Sequence, residues 1–140
     1  MSLIRVKKLK SDALLPTRAE PGSAGLDIYT NENYLLQPGE THAYTTGISA
    51  EFDPLYVALI WDRSGLGSKG VHRYAGVIDS SYRGEWKIIL HNTSEEPFEI
   101  KAGDRIAQCL MQEFAPLKIT EVKELSDSSR GEGGFGSTGR

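Results

Sequence analysis

The sequence predicts an all-β fold, and three observations carry that reading. Apolar residues fall in short runs broken by turn formers, and no window holds the stripe of roughly 3.6-residue period that marks an amphipathic helix. The chain also carries 15 glycines and 6 prolines in 140 residues, a turn-rich composition. Many short strands at regular spacing make a sandwich or barrel-like β domain in which helix is minor.

Taken in order, Ile4 and Val6 alternate with Arg5 and Lys7, the pattern of a strand with one wet face. After Pro16, Pro21 and Gly22, residues 24–30 (AGLDIYT) read as a second strand, with Leu26, Ile28 and Thr30 on one side and Asp27 and Tyr29 on the other. Gln37, Pro38, Gly39 and Glu40 form a turn with proline and glycine in their favoured places. Residues 41–50 and 56–61 predict two further strands, separated by Phe52, Asp53 and Pro54, and residues 62–70 (DRSGLGSKG) predict a loop. In residues 74–90 (YAGVIDSSYRGEWKIIL), Val77 and Ile78 are strand formers, Asp79, Ser80 and Ser81 are turn formers, and Trp86 opens a returning run. That spacing predicts a β-hairpin. Residues 97–100 give a short strand, residues 101–104 a turn, residues 105–114 a longer strand, and residues 118–125 the last periodic segment.

Residues 1–125 therefore make one β domain without internal repeat, and residues 126–140 (SDSSRGEGGFGSTGR) differ in kind. Five of the eleven residues from 130 to 140 are glycine and only Phe135 is large and apolar, so this arm cannot offset its own ordering entropy and is expected to be flexible. It reads either as a plain linker or as part of a nucleotide clamp. For the clamp, Arg130 supplies charge, Phe135 a stacking face, Ser137 and Thr138 hydroxyls, and the glycines close-approach amides.

The net charge of −3 and pI near 5.6 argue against general nucleic-acid or anionic-membrane binding, which want a basic surface. No run approaches the roughly 20 apolar residues needed to span a bilayer. The lone Cys109 cannot form an intrachain disulfide, and no signal peptide is evident near the start, so a reducing, cytoplasmic or other intracellular compartment is expected. Cys109 sits in an apolar strand, where a lone thiol is more often a small hydrophobe than a nucleophile. His42, His72 and His91 show none of the spacings of a protein-built zinc site.

Two stretches can carry chemistry. Asp79 ends a strand at its turn, stiffly held yet open to a ligand; it either caps that turn or acts on a substrate. In the loop, Arg63 offers a fork for phosphate oxygens, Ser64 a hydroxyl, and Gly65 and Gly67 permit close backbone approach. It is not a P-loop, because the GxxxxGK spacing followed by Ser or Thr is absent, and RSG alone is common in ordinary turns.

The combination in order is specific. AGLDIYT at 24–30, RSGLGSKG at 63–70, AGVIDSSYRGE at 75–85, GDRIAQ at 103–108 and RGEGGFGSTG at 130–139 resemble the five motifs of the trimeric dUTPase family, nearly end to end. The resemblance implies a distorted jelly-roll (β-clip) subunit in a homotrimer, with sites at subunit interfaces and a C-terminal arm that closes over a neighbour's site. It implies hydrolysis of dUTP to dUMP and pyrophosphate with Mg²⁺ held mainly by substrate phosphates and waters, without a direct protein ligand.

By position, Asp79 would activate the water that attacks the α-phosphorus, which suits a carboxylate ionised at neutral pH. Tyr82 would pack under the deoxyribose. Arg63, Ser64 and Gln108 would hold phosphates beside Gly65, and backbone groups of Ala75, Gly76, Val77 and Ile78 would read uracil. Phe135, followed by Gly136, would stack on the base, Arg130, Ser137 and Thr138 would reach the phosphates, and Asp27 would support the metal and water network. Asp62 stands where the family usually has proline, Ser81 where a second acid is usual, and Arg73 where asparagine is common. The alternatives are a dCTP deaminase-type enzyme, which resembles this fold but needs a base-reading glutamate for which only Glu85 is close by, and a non-catalytic β module.

Overall fold

The computed structural model describes residues 4–134. Along them run β1 (Arg5–Lys8), β2 (Leu26–Tyr29), β3 (Tyr34–Leu36), β4 (Thr41–Thr45), β5 (Ile48–Glu51) and β6 (Tyr56–Trp61). One helical turn, α1 (Ser64–Gly67), precedes β7 (Val71–Tyr74), β8 (Val77–Asp79), β9 (Lys87–Asn92), β10 (Phe98–Ile100) and β11 (Arg105–Glu113). All pairings are antiparallel. A four-stranded sheet runs β2-β11-β6-β8, a three-stranded sheet runs β4-β9-β7, and two pairs, β1-β5 and β10-β3, complete the fold.

Period-two patterning builds the core from both larger sheets. β9 turns Ile88, Leu90 and Asn92 inward, and β6 does the same with Ala58 and Ile60 while leaving Trp61 outside. In β11 a register shift between Arg105 and Ala107 lets the consecutive Ile106 and Ala107 both be buried, as a bulge does. The apolar ones among these side chains join Ile28, Tyr44, Val71 and Trp86 in one cluster. Cys109 belongs to it, fully buried, and burial pushes its thiol up to about 12, so it is a core hydrophobe.

The strand partners differ from several expectations. The segment around Asp79 is not a hairpin: β8 pairs with β6, whereas β9 pairs with β4 and β7 in the other sheet. Trp86 explains the crossing, because its indole is buried in the core and its backbone N–H donates to the Ile48 carbonyl at 2.9 Å, drawing the chain across as soon as the turn ends. Residues 41–50 are two strands, broken at Thr46 and Gly47, where Gly47 takes a positive φ of 68°. β3 and β7 were not foreseen. Residues 118–125 form no strand, since β11 already has β2 and β6 on its two sides and the chain beyond it meets no free edge of its own. Leu117, Ile119 and Leu125 are consequently 84%, 95% and 87% exposed.

Candidate active site

Sheet register places the first group of polar residues. Asp27 on β2 lies opposite Gln108 on β11, and Gln108 lies opposite Trp61 on β6, so one row across three strands presents Asp27 and Gln108 on the same face. The Gln108 amide donates to the Asp62 carbonyl at 2.8 Å. Glycine at position 25 is what lets it lie there, because a Cβ would come within 2.5 Å of Gln108 Oε1.

Immediately after β6 the chain turns into α1, with Arg63 in the extended cap position and Leu66 buried as its anchor. Arg63 Nε lies 3.1 Å from Asp27 Oδ1, and Arg105 Nη1 lies 3.3 Å from Asp27 Oδ2. Asp27 is 12% exposed and spans two guanidinium groups, and Arg63 Nη1 also donates to the backbone carbonyl of Arg105 at 3.3 Å. Arg63, Ser64, Gly65, Arg105 and Gln108 open with Asp27 onto a cleft of about 610 Å³. Two cations against one carboxylate leave a surplus positive charge, and with forked N–H donors, a hydroxyl and an amide the cleft suits phosphate oxygens. Arg105 was not singled out from the sequence, although GDRIAQ contains it; only the bulge and pairing bring it beside Asp27.

The second group sits on β8, at the edge of its sheet. Ala75 takes a positive φ of 59° and Gly76 one of 111°. Gly76 accepts from the Ile60 N–H at 2.7 Å, and a Cβ there would lie 2.9 Å from Ile60 Cβ. With Gly76 and Ile78 turned toward β6, antiparallel alternation directs the N–H and C=O of Val77 to the open edge. Val77 is 70% exposed.

Asp79 ends the strand with its side chain exposed, and its carbonyl takes the Tyr82 N–H at 3.1 Å. Tyr82 packs its ring over Gly84, donates its hydroxyl to the Glu85 carbonyl at 3.1 Å, and stays half-exposed. The carboxylate of Glu85 is engaged elsewhere, accepting from the Gly47 N–H at 2.8 Å.

One chain does not join the two groups. Asp79 lies opposite Val57 while Gln108 lies opposite Trp61, four residues further along β6, a displacement of about 13 Å along the strand. Arg130 donates within its own turn, to the Gly133 carbonyl at 2.6 Å. Phe135, Gly136, Ser137 and Thr138 lie outside the described residues.

Comparison with known proteins places this geometry in context. The dUTPase family model matches residues 11–139. A deoxyuridine 5'-triphosphate nucleotidohydrolase of Clostridioides difficile is 45% identical over 139 residues, covering 97% of both chains. Its counterpart from Paramecium bursaria Chlorella virus 1 is 46% identical, with 99% of each chain covered. Among solved structures, a mutant dUTPase of Staphylococcus bacteriophage 80alpha with dUpNHpp superposes at a TM-score of 0.93, with 29% identity and 99% of each chain covered.

Proposed function

This chain belongs to the dUTPase family, and on that premise we propose that it is a dUTP diphosphatase, hydrolysing dUTP to dUMP and pyrophosphate at sites shared between the subunits of a homotrimer. Such turnover lowers dUTP relative to dTTP and supplies dUMP for dTMP synthesis.

The observation that carries the reading is the separation of the two polar groups. A phosphate-binding cleft at Arg63, Ser64 and Gln108 and a strand end carrying Asp79 and Tyr82 stand about 13 Å apart along the sheet of one chain, and they complete one another when the strand end of one copy meets the cleft of the next. The apolar side chains of Leu117, Ile119 and Leu125, almost bare in the monomer, supply surface that another copy would cover.

In the assembled site the phosphates lie against Arg63, Ser64, Gly65 and Gln108, with Asp27 holding the guanidinium of Arg63 in place. The open backbone edge at Val77, set by Ala75, Gly76 and Ile78, receives uracil as a neighbouring strand would. The ring of Tyr82 lies under the deoxyribose and leaves no room for a 2′-hydroxyl. Asp79 accepts a hydrogen bond from water, aims it at the α-phosphorus and takes its proton as the bond forms. Residues 126–140 close as an arm over a neighbouring site, where Phe135, beside Gly136, stacks on the base while Arg130, Ser137 and Thr138 bind phosphates; new ionic contacts offset the ordering cost.

Mg²⁺ fits this donor set when carried by the phosphates and their waters, since the Asp27 carboxylate is already matched by Arg63 and Arg105. When bound, the ion neutralises charge on the triphosphate and orients it. The dCTP deaminase reading is disfavoured because Glu85 holds the Gly47 N–H. A reducing intracellular compartment accords with the buried, unpaired Cys109.

The test is pyrophosphate release across dUTP, dTTP, dCTP and UTP, with the mass in solution measured alongside. Selective release from dUTP by a trimer is expected. Ammonia release from dCTP, or turnover by a monomer, would overturn the reading.

A further inference from the structure

Asp62 and Arg73, which depart from the usual family residues, are joined to one another and to both polar groups. Asp62 Oδ1 accepts the Arg73 N–H at 2.7 Å, and the same oxygen lies 4.0 Å from Arg73 Nε, which is buried without a hydrogen-bond partner among the described residues. Asp62 Oδ2 faces His72 Nδ1 at 3.3 Å, and the Asp62 carbonyl takes the Gln108 amide. One residue thus anchors the phosphate-binding glutamine through its backbone and the end of β7 through its carboxylate.

From there Arg73 reaches forward. Its Nη1 donates to the Ala75 carbonyl at 2.8 Å, and its guanidinium carbon lies 5.2 Å from the centroid of Trp61. The stacked, planar cation is held by aromatic, carboxylate and carbonyl together, a combination that Lys would not reproduce. Ala75 is the one non-glycine residue with positive φ among those described, a conformation that a Cβ disfavours. The bond to its carbonyl sets the plane of the peptide leading into Gly76. Gly76 is tied to the Ile60 N–H, and the next residue is Val77, whose backbone faces the open edge.

We propose that Asp62 and Arg73 form a strut that fixes the Ala75–Gly76 backbone and so sets the hydrogen-bonding edge at Val77 that selects the base. In this reading Arg73 is a positioning residue: its Nη1 is spent on the Ala75 carbonyl and its guanidinium face lies over Trp61. This rests on the dUTP reading above. It predicts that base discrimination, more than chemistry, depends on a side chain that touches no substrate.

The experiment compares the full chain with Arg73→Gln, Arg73→Lys, Asp62→Ala and the Asp62→Ala/Arg73→Gln double variant. Arg73→Gln is expected to raise KM for dUTP about tenfold while kcat stays within about threefold, as loss of binding common to ground and transition states would. Selectivity for dUTP over dCTP should fall with it, and Arg73→Lys, whose ammonium still reaches the Ala75 carbonyl, should recover part of both. Asp62→Ala should add little in the Arg73→Gln background, because the two act as one unit. Amide exchange at Ile60, whose N–H rests on Gly76, should accelerate in Arg73→Gln, and Trp61 emission should change. Unaltered KM, selectivity and Ile60 exchange in Arg73→Gln would overturn the strut. So would a loss confined to kcat. Should the parent chain fail to hydrolyse dUTP, the reaction falls instead, and the strut stands or falls on Ile60 exchange alone.

Discussion

Arg63 and Asp27 are ion-paired at 3.1 Å across the β2-β11-β6 sheet, and the carboxylate also holds Arg105 at 3.3 Å. Asp27 thus aims two cations at one cleft without being exposed itself. Asp27→Asn should loosen both guanidinium groups and lower kcat/KM for dUTP about tenfold, since charge-assisted bonds of this kind contribute about 1.5–3 kcal/mol. Steady-state kinetics with wild-type values would show that the pair is structural only.

Asp79 offers an exposed carboxylate at the end of an edge strand. Asp79→Asn keeps the shape and removes the base, so turnover should fall about a thousandfold. Binding of a non-hydrolysable dUTP analogue, measured by calorimetry, should change little. Retained turnover would remove Asp79 from the chemistry.

Gly76 combines a φ of 111° with only 2.9 Å between a would-be Cβ and Ile60 Cβ. Gly76→Ala must therefore strain the backbone and push β8 away from β6, costing about 2 kcal/mol or more of stability. Thermal unfolding should show a lowered Tm, and kcat/KM should drop with it because β8 carries both Val77 and Asp79. A variant with parental Tm would mean the close approach is not enforced.

Glu32 receives hydrogen bonds from Thr45 Oγ1 at 2.6 Å and His42 Nε2 at 2.5 Å. Burial alone would raise its pKa, but these bonds outweigh burial and hold the carboxyl below its ordinary value of 4.5. A carboxylate whose folded pKa is depressed stabilises the fold above its unfolded pKa, and that contribution is lost as pH falls through the folded value. Glu32→Gln should therefore be less stable than the parent by about 1–2 kcal/mol near neutral pH. The gap should narrow toward about pH 3. Denaturant unfolding at both pH values checks this, and a gap independent of pH would exclude the ionised form as its source.

Much of the candidate site was legible because its polar residues lie in short contiguous stretches. Asp79 at a strand end, the Arg63-Ser64-Gly65 turn and Gln108 in a long strand are each where local propensity put them. Arg105 was not legible, since an arginine beside a turn reads as a solvated charge until a bulge sets it against Asp27. Nor was the contact of Asp62 with Arg73: Asp62 lies between β6 and α1 and Arg73 on β7 of the other sheet, and only their folded placement joins them.

By itself the sequence determined an all-β chain and the ordered motifs that assign its family, because strand-forming runs, turn residues and motif spacing are local properties. Tertiary structure alone decided that β8 pairs with β6 instead of β9, and with it the separation of Asp79 from the cleft at Arg63 and Gln108. Strand alternation says which face a side chain takes but not which distant strand lies beside it. That choice was made by packing, where the buried indole of Trp86 drew the chain from one sheet to the other.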